Sequence, residues 1–195
     1  LVAEEDITLY GAVRTPPPES LTHAFAAFLE QLRPQEYVAL LSFLPRPPAL
    51  DPGTVAPRTS SIYPEPFRKA VAGREKRALG DALGLGDFGV NLVTLPPGAM
   101  SALRHWHSHE DEFVYVLEGA PVLVTDAGEQ VLGPGMAAGF PKGVADGHHL
   151  INRTDKPVLY LEVGARHPAD EAEYPDEDLA LKRKRVFVRK SGEPY

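Results

Sequence analysis

The chain has 195 residues, 43% of them hydrophobic, and a formal net charge of −7. That size and apolar content support one folded domain with an extension. The acidic balance argues against general nucleic-acid binding, and no apolar run approaches the length of a membrane span. With no cysteine, disulfides and thiolate metal sites are excluded, so any metal must be held by nitrogen and oxygen ligands. Twenty prolines and seventeen glycines call for many turns, as an all-β domain would need. The opening residues carry no secretory pattern, and a cytoplasmic location is the expectation.

Residues 1–50 read as an N-terminal extension and 51–195 as the main domain. Residues 7–10 suggest a short strand, and 15–18 a proline-rich break. Ser20 is a suitable N-cap. Leu21, Ala24, Phe25, Phe28, Leu29 and Leu32 then share one helical face, and Pro34 stops the helix. The apolar run at 37–44 suits a buried strand or a second short helix. Residues 45–53 have the composition of a linker. The helix could dock a partner, but packing on the main domain is the simpler role.

Pro64 and Pro66 disfavour a central strand. Residues 68–79 are charged and fit a helical turn or an edge strand. Phe88 to Leu95 is a strand by its β-branched content, and Pro96 to Gly98 turns the chain. The next stretch, RHWHSHEDEFVYVLEG over 104–119, is the most informative. His105 and His107 sit two apart, which places both imidazoles on one face of a strand. Glu112 opens a second strand. Two imidazoles and a carboxylate from neighbouring strands suit a divalent metal, although the same pattern could mark a polar sheet edge. By parity Trp106 and Tyr115 should face away from the metal. Arg104 lies beside the stretch, and His109 falls in an exposed turn.

Residues 121–125 and 130–132 form a hairpin pattern around a turn at 126–129. Gly133 to Gly135 is a turn, 136–140 a short strand, and 141–143 another turn. His148 and His149 then lead into a strand over 148–152. Residues 158–163 form the next strand. The tail is acidic over 170–178 and basic over 182–185, a run best read as a solvated edge before a last strand near 187–190.

The two histidine-bearing stretches together resemble the two motifs of the cupin family. The first motif corresponds to Gly98, His105, His107, Glu112 and Gly119, and the second to Gly135, Pro141, Gly143, His148 and Asn152. The likeness covers roughly residues 80–165, and the chain is similar to small single-domain bacterial cupins. Two spacings depart from the family pattern. Six residues separate Gly98 from His105 and four separate Gly143 from His148. The longer second spacing leaves His148 and His149 competing for the inward position, because a slip of one residue swaps faces. The three-residue gap to Asn152 favours His148. Residues 32–45 also faintly resemble part of the phosphoglucose isomerase segment of fused transaldolase–isomerase enzymes, and none of that enzyme's catalytic residues can be placed here.

The resemblance implies an all-β fold, the cupin double-stranded β-helix or jelly-roll barrel, with a short helical N-terminal extension. It also implies one divalent transition metal (Zn, Fe, Mn or Ni) on His105, His107, Glu112 and His148. Two functions follow as expectations. One is a metal-dependent enzyme on a small polar substrate such as a sugar or organic acid, of isomerase, lyase, decarboxylase or dioxygenase type. The other is a non-catalytic metal-containing binding or sensing module. Asn152 and Tyr160 are candidates for the barrel interior. The expected partners are a small molecule and a second copy of the chain in a homodimer, with no nucleic acid and no membrane.

Overall fold

The computed structural model describes residues 48–195, together with Ala27 and Gln31 as isolated positions. The expected 7–10 strand, the 21–32 helix and the 37–44 run lie outside the described residues apart from those two positions. Leu50–Tyr195 is one compact unit. Its strands are β1 (Glu75–Ala78), β2 (Phe88–Leu95), β3 (Trp106–His107), β4 (Glu112–Glu118), β5 (Val122–Thr125) and β6 (Gly128–Val131). They continue with β7 (Ala137–Phe140), β8 (His149–Ile151), β9 (Val158–Ala165), β10 (Ala172–Tyr174), β11 (Leu179–Lys182) and β12 (Val186–Val188).

The two eight-residue strands set the frame. β2 and β9 pair antiparallel from Phe88↔Ala165 to Leu95↔Val158. Alternation then turns Val93, Leu95, Val158 and Tyr160 inward, all at 0% exposure. Burying each Val or Leu in this way contributes about 1.5–3 kcal/mol. β4 pairs along the other side of β9, and the five-stranded sheet runs β1-β2-β9-β4-β7. A three-stranded sheet, β6-β5-β8, and a four-stranded sheet, β12-β11-β10-β3, complete the molecule. Leu123 of β5 and Leu150 of β8 join Val93, Val114, Val116 and Tyr160 in one apolar core, so the three-stranded sheet packs against the five-stranded one. Tyr63, Val71, Leu103, Ala172, Tyr174 and Leu179 form a second core under the four-stranded sheet. The architecture is an all-β barrel, as the resemblance implies.

Gly119 shows how a turn enforces this register. Its φ is +83°, and a Cβ there would fall 2.8 Å from Val158 Cγ2, so only glycine lets β4 end against β9 without displacement.

Two segments hold more elements than the sequence alone suggests. The charged stretch after Pro66 divides into a 3-10 turn (Phe67–Val71), the edge strand β1, and a short helix, α1 (Leu79–Leu83), ended by Gly84 at φ +79°. Three short strands also arise in the tail, where charge alone suggests one. Alternation within Ala172–Tyr174 buries Ala172 and Tyr174 on either side of a half-exposed Glu173, and Leu179 and Ala180 at the start of Leu179–Lys182 are both buried.

Candidate metal centre

β3, β4 and the start of β8 meet at one end of the barrel. β3 presents His107, and His105 just before it bridges to His148 through paired backbone hydrogen bonds of 3.2 and 2.9 Å. The same parity carries inward His148, Leu150 and Asn152, at 6%, 2% and 0% exposure. Glu112 opens β4 on the face that holds Val114 and Val116.

These four side chains converge. Glu112 Oε2 lies 2.9 Å from His148 Nε2, 3.6 Å from His107 Nε2 and 3.7 Å from His105 Nε2. Each ring is oriented from behind. His105 Nδ1 is 2.8 Å from the Leu103 carbonyl, and the ring stacks on Tyr174 at 5.6 Å. His107 Nδ1 is 2.6 Å from Asp170 Oδ2. The His148 ring lies flat on Phe140 at 3.5 Å, and its buried Nδ1 has no hydrogen-bond partner among the described residues. His149 points elsewhere, with its Nδ1 3.0 Å from the Ala102 carbonyl. His109 is exposed and stacks on His167.

Charge distribution fits a cation-binding site. Burial pushes the His105 pKa down to about 4, outweighing the pull of Glu112, so its ring is neutral and has a free lone pair. Burial also acts to lower His107, but the hydrogen bond to Asp170 and the nearby carboxylates outweigh it and raise the pKa. Burial acts to raise Glu112, yet the His148 hydrogen bond and the surrounding imidazoles hold it well below the usual carboxylate range. Three imidazole nitrogens and one ionised carboxylate, with each ring's rear nitrogen or face fixed, form a donor set suited to Mn, Fe, Ni or Zn.

Beside this cluster opens a cavity of about 360 Å³, counting the solvent space at its mouth. Its lining includes Trp106, Glu110, Glu112, Phe140, Val144 and His148. Trp106, between the two histidines on β3, is thus also at the rim of this cavity. Glu110 accepts a hydrogen bond from the His167 backbone N–H at 2.7 Å. Tyr115 does point outward, at 37% exposure.

Three other residues singled out in the sequence have structural surroundings. Arg104 turns from the cluster and binds both oxygens of Asp176 at 2.7 Å, and also Asp126. Asn152 donates to the carbonyls of Leu95 and Lys156 at 2.8 and 2.7 Å and accepts from Thr154, locking the turn before β9. Tyr160 lies inside the barrel, fully buried. Asp170 and Tyr174 are site neighbours that sequence reasoning missed. The acidic tail around them hides the local alternation that would have placed Tyr174 inward.

Comparison with known proteins agrees with this fold. Residues 91–164 match the family model described as a cupin domain. A sugar phosphate isomerase of the cupin superfamily from Silicibacter pomeroyi is 48% identical, with a TM-score of 0.74, over 76% of this chain and 96% of that one. The chain belongs to the cupin superfamily. Two more distant structures share the cupin fold. A candidate sugar phosphate isomerase from Acidithiobacillus ferrooxidans is 24% identical with a TM-score of 0.62, over 87% of this chain and 97% of that one. A predicted oxalate decarboxylase from Thermotoga maritima is 19% identical with a TM-score of 0.50, over 61% and 99%. A comparison with curated proteins gives no match. Among the described residues no helix of this cupin is long and apolar enough to cross a membrane.

Proposed function

We propose that this cupin is a metal-dependent isomerase of a small sugar phosphate, with His105, His107, Glu112 and His148 as the metal ligands. The observation that carries the reading is the approach of three imidazole Nε2 atoms to within 3.7 Å of a single Glu112 oxygen at the open end of the barrel. A divalent metal held there supplies Lewis-acid polarisation of a substrate carbonyl. The 48% identity to the Silicibacter isomerase supports sugar phosphates over the organic acids and aromatic substrates that other cupin chemistries would suit.

The chain's own residues prepare the site. His105 is kept neutral by burial. Asp170 accepts the His107 Nδ1–H, which leaves Nε2 to face the cluster. Phe140 holds the His148 ring and shields it from water. Glu110 adds a carboxylate that lines the cavity outside the cluster of four. A carboxylate facing the bound molecule distinguishes a catalytic pocket from a simple binding module.

The test is NMR detection of aldose–ketose interconversion by metal-loaded protein, with fructose 6-phosphate and ribose 5-phosphate as substrates. Turnover that is lost in a His105→Ala/His107→Ala variant is the expected result. Full metal occupancy without turnover of either compound would favour the non-catalytic binding module.

A further inference from the structure

Inward positions of a small barrel are ordinarily filled by apolar side chains. Three on adjacent strands of this one are not. Lys76 of β1 is the register partner of buried Val93. Glu162 of β9 lies two residues past buried Tyr160, and Asn91 of β2 is its register partner. Lys76 Nζ donates to Glu162 Oε1 at 2.5 Å, and Asn91 Nδ2 donates to the same oxygen at 3.2 Å. The Lys76 and Glu162 side chains are only 17% and 18% exposed. An ion pair withdrawn this far from water gains little net stability, because desolvation offsets the attraction. Stability alone therefore does not account for its position.

The cluster also has unused hydrogen-bonding capacity. Glu162 Oε2, Asn91 Oδ1 and the remaining ammonium hydrogens of Lys76 have no partner among the described residues. One row deeper, the fully buried Tyr160 hydroxyl lies beside Ser101 without closing a well-formed hydrogen bond. A buried hydroxyl is rarely left so and calls for an explanation, whereas the Lys76 and Glu162 side chains are still reached by solvent.

These groups face the same interior as the candidate metal centre. β4 and β9 pair Glu112 with Gly164 and Val114 with Glu162. Glu162 is thus the diagonal neighbour of Glu112 on one face, at about 7–8 Å. The position beside Glu112 is Gly164, where even a bare Cβ would lie 3.8 Å from Glu112 Cγ, and its β2 partner is Gly89. The two glycines carry no side chains of their own; the Glu112 carboxylate leans over Gly164, and the Arg166 guanidinium lies 3.6 Å from where a Gly89 Cβ would be.

We infer that Lys76, Asn91 and Glu162, with Tyr160 behind them, form a second subsite that binds the hydroxyl groups of a polyhydroxylated substrate whose other end meets the histidine–glutamate cluster. A sugar hydroxyl both donates and accepts. It can satisfy Glu162 with its hydrogen while its oxygen accepts from Lys76, Asn91 or Tyr160. An apolar chain would leave all of these groups unpaired, and a bare anion would meet the charge of Glu162. The inference rests on the metal-dependent sugar reading above and deepens it by naming the groups that hold the substrate's far end.

The test uses the full chain, first assayed for metal content and then titrated calorimetrically with ribose 5-phosphate and fructose 6-phosphate, with inorganic phosphate as the control. The variants are Glu162→Gln, Lys76→Met and the double replacement Lys76→Met/Glu162→Leu, which removes both charges together and so leaves no unpaired one. All should retain the parent's metal content. The single variants should bind the sugar phosphates about tenfold or more weakly, the scale of a lost charge-assisted hydrogen bond. The double variant should lose measurable binding, and phosphate binding should not change. Sugar phosphates that bind the variants as tightly as the parent, or fail to bind a metal-loaded parent, overturn the subsite. A parent that takes up no metal counts against the metal reading instead, and a loss of sugar binding between that protein and its variants would still support the subsite.

Discussion

His107 is held at both ends, with Nε2 3.6 Å from Glu112 and Nδ1 2.6 Å from Asp170. Asp170 is itself fixed by the His109 backbone N–H at 2.9 Å. A carboxylate behind a ligating histidine sets both tautomer and ring direction, and its loss typically weakens metal affinity 10–100-fold. We predict a loss of about that size for Asp170→Asn in a chelator-competition titration; unchanged affinity would mean that Asp170 does not orient the ring. His105 gives a pH prediction. Its folded pKa is about 4 against the ordinary 6.5, so between those values the unfolded chain takes up a proton that the folded chain does not. The contribution of His105 to the stability of the metal-free protein therefore falls as pH drops through this window, by about 2 kcal/mol at pH 5, while the raised pKa of His107 works in the opposite direction. In denaturant titrations at pH 7 and pH 5, His105→Gln should lose less stability on acidification than the parent; an equal loss would contradict this. The four clustered residues were legible from strand spacing and the motif resemblance. Asp170 was not, because it lies 63 positions from His107 and only the fold brings them together.

At the scale of elements, the regular β2, β4 and β9 strands were readable to within a residue or two, because long alternating runs carry their period openly. The tail was not, since β10 to β12 are only three or four residues each and are embedded in charge. Yet β10 pairs with β3 through Ala172↔His107 and Glu173↔Trp106, so the tail braces the histidine strand. Tyr174 is 3% exposed and packs on Tyr63, Phe187 and His105. Its replacement by alanine should cost about 3–5 kcal/mol, the usual range for a buried aromatic, and should loosen metal binding through His105. A loss under 1 kcal/mol in chemical denaturation would show that the tail is not part of the core. Gly147 matters for a related reason. A Cβ there would fall 2.8 Å from Pro175 Cγ and 3.3 Å from Arg104. The residues inserted before His148 thus make a turn that needs glycine to seat the strand against the tail.

For the whole molecule, the barrel's apolar alternation has a counterpart outside. Phe113, Tyr115 and Leu117 of β4 point outward at 43%, 37% and 37% exposure. Contiguous exposed apolar side chains mark association surfaces, and we predict that the chain forms a homodimer through this face. Light scattering at micromolar concentration should give twice 21.2 kDa, and Phe113→Glu/Leu117→Lys should halve that mass. A monomeric parent would contradict the prediction.

The most direct test of the central claim is elemental analysis of protein purified without added metal or a metal-affinity tag, beside the His105→Ala/His107→Ala variant. The four-residue cluster predicts close to one equivalent of Mn, Fe, Ni or Zn in the parent and almost none in the variant. A parent that is empty and takes up no metal on titration would contradict it.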